Sequence, residues 1–337
     1  MTTPPVTMPG GRGSRIEAIR SSVASTNAAP IYLVLFVVFL AAWLIVSLAG
    51  GHFVTIDNLT SMLVRSVALG IVAAGQTVVI LAGSLDLSVA YLISVSALIS
   101  SLIMNGDPSR IVVAVLAVIG IAVIVGLANG LLVTKLRVNA FIATLGVGLI
   151  LRGLLNAAFD NFAGKVAPQF EVLGYGTLGP IPWSVIVLAA TMLGVWFLLR
   201  STRFGHHLYA VGGNEETARL SGVRSHRVVI GAHILCSLAA VLTGLFLVAR
   251  IRAGAPWIGP DGGYDLESIA AVVVGGTALA GGRGGVWGTF AGVLILAIID
   301  NAFNALQFNS FVKDVVRGVI IVAAVAIYAQ RERRAGR

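Results

Sequence analysis

The sequence predicts an all-α integral membrane protein, a polytopic bundle of about ten transmembrane helices with one short helix on the cytoplasmic side. Three observations point there. Only 11% of the 337 residues are charged and 57% are hydrophobic, with a mean hydropathy of +0.95, whereas about a quarter of the residues of a soluble domain carry charge. Apolar runs close to the ~20 residues that cross a bilayer as a helix recur along the chain. Lys and Arg gather between alternate runs, as they do in cytoplasmic loops. Helices are the natural choice because unpaired backbone amides cannot face lipid, and no strand-period alternation competes with them.

The elements follow in chain order. Residues 1–30, rich in Thr, Pro, Gly and Ser, are expected to form a disordered cytoplasmic tail. The run IYLVLFVVFLAAWLIVSLA (31–49) is too long, and starts too far in, for a cleaved signal peptide. Spans are expected at about 31–50, 61–82, 87–105, 111–134, 139–159, 183–200, 227–249, 266–282, 286–308 and 312–329, within a transmembrane domain covering 31–330. With the N-terminus inside and the spans alternating, Arg110, Lys165, Arg250, Arg252 and Lys313 fall outside, Arg65, Arg152 and Arg317 fall within spans, and the rest of the 23 Lys and Arg lie inside. Both termini are therefore expected in the cytoplasm, with 331–337 as a basic tail. The net charge of +9 reflects this topology and some attraction to anionic lipid; no basic domain supports a nucleic-acid partner. Cys236 is the single cysteine and forms no internal disulfide.

Catalytic signatures are missing. The sequence has no phosphate loop, HExxH, paired cysteines at metal spacing or nucleophile elbow, so no catalytic or metal-binding residue is assigned. His206, His207 and His226 share a basic loop, and His52 and His233 lie elsewhere; all five are expected to be solvated or interfacial. The chain is expected to move or hold a solute rather than transform it.

Charge inside the apolar runs needs a reason, because a carboxylate in hydrocarbon is costly unless it faces a partner, a helix end or a cavity. Asp86, in AGSLDLSV (82–89), is the only charged residue between Arg65 and Asp107. One reading is that Gly83 ends a helix and Asp86 caps the next. The other is that the two helices break within the membrane, with Gln76, Gly83, Ser84, Asp86, Ser88, Asn139 and Thr144 lining a path or gate. Asp300 and Arg317, on the hairpin of the last two spans, are expected to pair, since unpaired buried charges are expensive. Gly284, Gly288 and Gly292 recur every four residues, which would let a neighbouring helix approach closely.

The longest inner connection, 200–227, contains YAVGGNEETARLSGV. Asn214 can cap the first free amides, Glu215 and Glu216 suit a positive helix N-terminus, and Gly222 can take a left-handed stop. A two-turn helix over Glu215–Ser221 follows. It would either lie on its own membrane domain or dock a partner protein.

This segment resembles the cytoplasmic coupling segment of permease subunits of ABC importers of the ribose, xylose and galactoside class, with Gly212, Asn214, Ala218 and Gly222 in the family's spacing and Arg219 beside them. Three further stretches resemble the same family: GQTVVILAGSLDLSVAYL (75–92), NAFIATLGVGLILRG (139–153) and YDLESIAAVVVGGTALAGGRGGVWGTFAGVLIL (264–296). Ser84, Leu85 and Ala90 depart from the usual Gly, Ile and Gly, Ala140 from the usual Pro, and Asp265 from the family's common residue.

The resemblance implies a permease in the bacterial cytoplasmic membrane that works with a second permease chain, identical or paralogous. A separate P-loop ATPase would carry ATP and Mg2+, leaving this chain without a cofactor of its own, and an extracytoplasmic binding protein would deliver a monosaccharide such as a pentose, hexose or related polyol. Nucleosides or branched-chain amino acids are the alternative cargo, and an ion-coupled secondary carrier the alternative mechanism.

Overall fold

The computed structural model describes residues 29–309 and, beyond them, 311–313, 315, 316, 318, 319 and 322. Helix α1 (Ala29–Leu48) leads into α2 (Ile56–Leu81), α3 (Val89–Met104), α4 (Ile111–Thr134) and α5 (Ala140–Ala158). A one-turn helix α6 (Val172–Tyr175) and a two-residue hairpin, Thr177–Leu178 paired with Ile181–Pro182, precede α7 (Trp183–Ser201). Next come α8 (Arg203–Gly213), α9 (Glu215–Leu220), α10 (Ser225–Ile251), α11 (Tyr264–Val274) and α12 (Val286–Ala305).

Burial sorts these helices by composition. Helix α1 is apolar on every side, and Leu33, Phe36, Val37, Leu44 and Ile45 point outward, as suits a helix bathed in lipid. By contrast α2 carries the small, buried Gly70, Ala73, Ala74 and Gly75 along its second half and packs among neighbours. The centre of the bundle is α10, which packs against α2, α3 and α4, while α12 packs against α1, α2 and α11.

Glycine is what brings these axes together. On α4, an added Cβ at Gly126 would stand 2.5 Å from the Ile234 Cα, and one at Gly130 2.7 Å from the Ile230 Cα, both on α10. These two glycines, four residues apart, make a small-xxx-small face. On α12, Gly288 and Gly292 lie directly on α11: a Cβ at either would come within 2.1 Å of the carbonyl oxygen of Gly275 or Ala271. Gly284 belongs to a different element. It precedes the helix, has φ +130, and lies against Thr277.

Two expected spans differ from the observed elements. Among the described residues, seven helices are long and apolar enough to cross a membrane. The expected third span is shorter, α3 having 16 residues, about 24 Å at the usual rise. The expected eighth, 266–282, does not form one helix. Its first part is α11, which stops at Val274 because Gly276 (φ +85) takes the left-handed position and the amide of Thr277 returns to the Val272 carbonyl at 3.1 Å, a Schellman stop. Gly281 and Gly282, also at positive φ, then turn the chain. The expected tenth span, 312–329, and the tail at 331–337 lie for the most part outside the described residues.

The packing argument makes a prediction. Gly126→Ala should lower the thermal stability of the detergent-solubilised chain, at a cost of about 1–3 kcal/mol for overpacking. Gly120→Ala, on the same helix with nothing within 4 Å, should leave stability unchanged. Fluorescence-detected gel filtration after heating measures both, and equal melting of the two variants would contradict the packing.

Candidate functional site

The loop 82–88 between α2 and α3 owes its shape to one glycine. At the end of α2, Gly83 adopts φ +76, its amide bonds to the Ile80 carbonyl at 2.9 Å, and the Ser84 amide bonds to the Val79 carbonyl at 3.1 Å. This Schellman stop turns Ser84 and Asp86 into the bundle, where Asp86 is fully buried and Ser84 nearly so.

Asp86 then collects donors from three helices. Its Oδ1 accepts from the Ser88 amide at 3.0 Å and from the Ser88 hydroxyl at 2.6 Å, both at the start of α3. From α4, the Asn129 Nδ2 lies 3.3 Å from Oδ1, 3.2 Å from Oδ2 and 2.9 Å from Ser88 Oγ. From α10, the His233 Nδ1 lies 3.3 Å from Oδ2, while Nε2 of the same ring is 3.0 Å from Ser84 Oγ. The same imidazole thus bridges the Asp86 carboxylate and the Ser84 hydroxyl through its two nitrogens. Asp86 thus closes a turn just ahead of α3, whose N-cap Ser88 makes no side-chain cap bond, and it ties that turn to α4 and α10.

Among the expected path residues, the structure brings Gln76, Gly83, Ser84, Asp86, Ser88 and Thr144 to this region. Thr144 on α5 accepts from the Leu87 amide at 3.1 Å. One turn along α10 from His233, Cys236 donates to Gln76 Oε1 at 3.2 Å. Gln76 Nε2 and Asn129 Oδ1 have no partner among the described residues. Asn139 stands apart: it is exposed and caps α5, accepting from the Phe141 amide at 3.0 Å. Asp300 lies in the last turns of α12, and its expected partner Arg317 lies outside the described residues.

His233 corrects the sequence-based expectation that the histidines are solvated or interfacial. It has no exposed surface, because its ring bonds into the 82–88 loop and its backbone packs against Gly126 of α4. Its position in the middle of an apolar run was the available signal, since an ionisable residue there needs a partner. Asn129, equally deep in α4, gave the same signal.

The Ser84–His233–Asp86 order repeats the connectivity of a hydrolytic triad. With Ser84 at 5% exposure, however, its hydroxyl is closed off among helices, and the arrangement serves as an interhelical tie.

A second cluster touches the back of this loop. The 200–227 connection contains α9, as expected, but also α8, which was not anticipated. Asn214 caps α9 by accepting from the Thr217 amide at 2.8 Å. Gly222 ends it at φ +85, the Val223 amide returning to the Ala218 carbonyl at 3.0 Å. Ala218 is buried; Glu216, Arg219 and Leu220 are exposed, Leu220 at 81%. Glu215 accepts from the Ser225 hydroxyl at 2.8 Å, fastening α9 to the start of α10.

At the end of α8, backbone meets backbone. A Cβ at Gly212 would stand 1.9 Å from the Leu81 carbonyl oxygen and 2.6 Å from the Gly282 amide, and that amide itself donates to Leu81 at 3.0 Å. Nearby, the Tyr209 hydroxyl donates to the Gly284 carbonyl at 2.9 Å. Burial pushes this phenol up to about 12, so it remains a donor at neutral pH. The end of α2, the end of α8 and the 275–285 turn therefore form one junction under the Asp86 loop.

If the Asp86 tie is a single unit, its members are energetically coupled. Asp86→Asn and His233→Gln should each destabilise the chain, and the double variant should lose less than the sum, with a coupling energy of about 0.5–3 kcal/mol in a double-mutant cycle on thermal or denaturant unfolding in nanodiscs. Additive losses would contradict the contact.

Comparison with known proteins assigns the family. Residues 58–325 match the family model described as branched-chain amino acid transport system / permease component. The chain is 37% identical over 292 residues to the ribose import permease protein RbsC of Escherichia coli strain K12, covering 84% of this chain and 89% of that protein. It is 38% identical over 290 residues to the ribose import permease protein RbsC of Bacillus subtilis strain 168, covering 84% and 88%. Over 303 residues it is 34% identical to the L-arabinose transport system permease protein AraH of Escherichia coli strain K12, covering 89% and 92%. No solved structure matches. With matches of this extent over a helical bundle built to cross the membrane, the chain belongs to the ABC-importer permease family.

Proposed function

We propose that this chain forms the membrane path of an ATP-driven, binding-protein-dependent importer of a monosaccharide, and that its α8–α9 segment carries the motion of a cytoplasmic ATPase to the Asp86 loop. The observation that carries this reading is the junction at Gly212, where the segment lies against the Leu81 carbonyl at the root of loop 82–88. No flexible side chain intervenes, so a displacement of α8 moves that loop directly.

The parts take their places accordingly. In this reading both termini and α9 lie in the cytoplasm of a bacterial cell, and the positive-inside bias of Lys and Arg supports that orientation. The exposed Leu220, flanked by Glu216 and Arg219, is the anchor for the ATPase, which holds ATP and Mg2+. A second permease chain, a copy or a paralogue, completes the path, and the binding protein docks at the opposite end. Asp86, Ser88, Asn129 and His233 form a tie that two discrete helix arrangements make and break, as alternating access by movement of packed helices requires. The unpartnered Gln76 Nε2 and Asn129 Oδ1 are groups that a passing hydroxyl can engage.

The ribose and arabinose permeases among the relatives favour sugar as the cargo. The description of the matched family favours branched-chain amino acids as the second reading. Uptake of labelled D-ribose, L-arabinose and L-leucine into cells carrying the whole importer separates the two.

The docking role is tested by co-purification in mild detergent. Leu220→Asp should lose the ATPase, with ATP-driven uptake falling at least about tenfold for an interface anchor worth ~2 kcal/mol, while the chain still inserts and runs as a folded species. Retention of the ATPase with wild-type uptake would refute it.

A further inference from the structure

A cavity of about 460 Å3 opens at the end of the bundle away from α9, lined among others by Tyr91, Arg152, Asn156, Asp160, Trp257 and Asp261. We propose that it is a binding site for an uncharged monosaccharide, taken up from the binding protein and held there before passage beyond Tyr91 to the Asp86 loop. The proposal rests on the importer reading and adds to it a specific site.

The first argument is chemical. The volume lies in the range of small-ligand pockets, about 300–1,000 Å3. Each sugar hydroxyl donates and accepts, and the cavity offers both: guanidinium donors on Arg152, carboxylate acceptors on Asp160 and Asp261, and a carboxamide on Asn156 that does either. The salt bridges among the described residues join Arg152 to neither Asp160 nor Asp261, so none of these three charges is spent on the others. One cation against two carboxylates disfavours an anionic solute. Trp257 supplies an apolar ring face for the C–H side of a sugar.

The second argument is rigidity. The ring of Phe162 meets the Trp257 indole edge-on, centroids 5.1 Å apart at 71°. The segment carrying Trp257 is pinned to α3 at two points: the Gly254 amide donates to Ser101 Oγ at 3.2 Å and the Gly259 amide to Ser94 Oγ at 3.0 Å. A Cβ at Gly259 would meet the Ala90 carbonyl at 1.8 Å, so this segment dips from the far end of the bundle down to the first turn of α3. Pro256 and Pro260 bracket the indole. A site set on such a backbone loses little entropy when it is filled.

The third argument is continuity with the tie. Along one face of α5, Thr144 contacts the Asp86 loop at Leu87, a Cβ at Gly148 would lie 3.1 Å from the Tyr91 ring and 3.5 Å from the Ser88 Cα, and Arg152, Leu155 and Asn156 face the cavity. Spacings of three and four keep these residues on one stripe of the helix. Tyr91 therefore lines the cavity one turn along α3 from Ser88, which bonds the Asp86 carboxylate.

The test uses the complete importer, reconstituted with its ATPase and binding protein, and follows ATP-driven uptake of labelled D-ribose, L-arabinose and L-leucine. Asp261→Asn and Trp257→Ala should each lower the maximal rate of sugar uptake about tenfold, the loss expected for one charge-assisted hydrogen bond or ring contact. The half-saturation concentration, set by the binding protein, should stay within about twofold. Stimulation of the ATPase by the binding protein should persist, which separates a lost sugar site from an unfolded chain. A milder pair, Arg152→Lys and Trp257→Phe, should give intermediate rates; in nanodiscs, Trp257→Phe should remove the fluorescence change that D-ribose causes in the wild-type chain. Sugar uptake within twofold of wild type in both principal variants would overturn the cavity site and leave the importer reading standing. Uptake of L-leucine with neither sugar moved by the wild type would overturn the sugar reading and the site together.

Discussion

One buried carboxylate organises this molecule. Asp86 lies where hydrocarbon and packed helices leave it no water, and an unpaired charge there would cost several kcal/mol. Its donors come from Ser88 beside it, from Asn129 on α4 and from His233 on α10. Satisfying the carboxylate therefore fixes how α3, α4 and α10 stand to one another, and Ser84 extends the tie to the end of α2 through the far nitrogen of the same imidazole. A polar network that specifies an arrangement is also one that can be exchanged for another when its members are pulled apart.

Such a tie is useful in transport only if something can pull on it, and glycine provides the means. Where α8, α2 and the turn before α12 meet, Gly212 and Gly282 bring main chain against main chain. Packed backbone transmits a displacement with little loss, whereas long side chains would absorb it by changing rotamer. The same economy places α4 on α10 through Gly126 and Gly130, and α12 on α11 through Gly288 and Gly292. The stiff centre thus lies between the α8–α9 segment and the cavity at the other end.

Much of this was legible in the sequence where the cause is local. The Gly83 stop, the Asn214 cap and the Gly222 terminator each depend on a few adjacent residues, and Asp86 announced itself by its isolation in an apolar run. The rest depends on contacts far apart in the chain. His233 and Asn129 read as isolated polar residues until α10 and α4 are placed around residue 86, more than 140 and 40 positions away respectively. The eighth span was misread because a run of apolar residues outweighed Gly275, Gly276, Gly281 and Gly282, whose positive φ angles at three of the four positions end the helix and form a turn. Helix α8 was missed because its polar, histidine-containing surface carries no membrane signal. Asn139, grouped with the path by motif, caps α5, a local role its position before Ala140 and Phe141 already allowed.

The central claim is that motion enters the Asp86 loop through the backbone at Gly212, and Gly212→Ala tests it most directly. A methyl group there would meet the Leu81 carbonyl at 1.9 Å and force the junction apart, while Leu220 and the rest of α9 remain as they are. ATP hydrolysis and sugar uptake should be measured side by side in proteoliposomes holding the assembled importer. The account predicts that hydrolysis continues and uptake per ATP hydrolysed falls by about tenfold or more, on the order of 1.4 kcal/mol lost from the coupling. Uptake that stays in wild-type proportion to hydrolysis would contradict it.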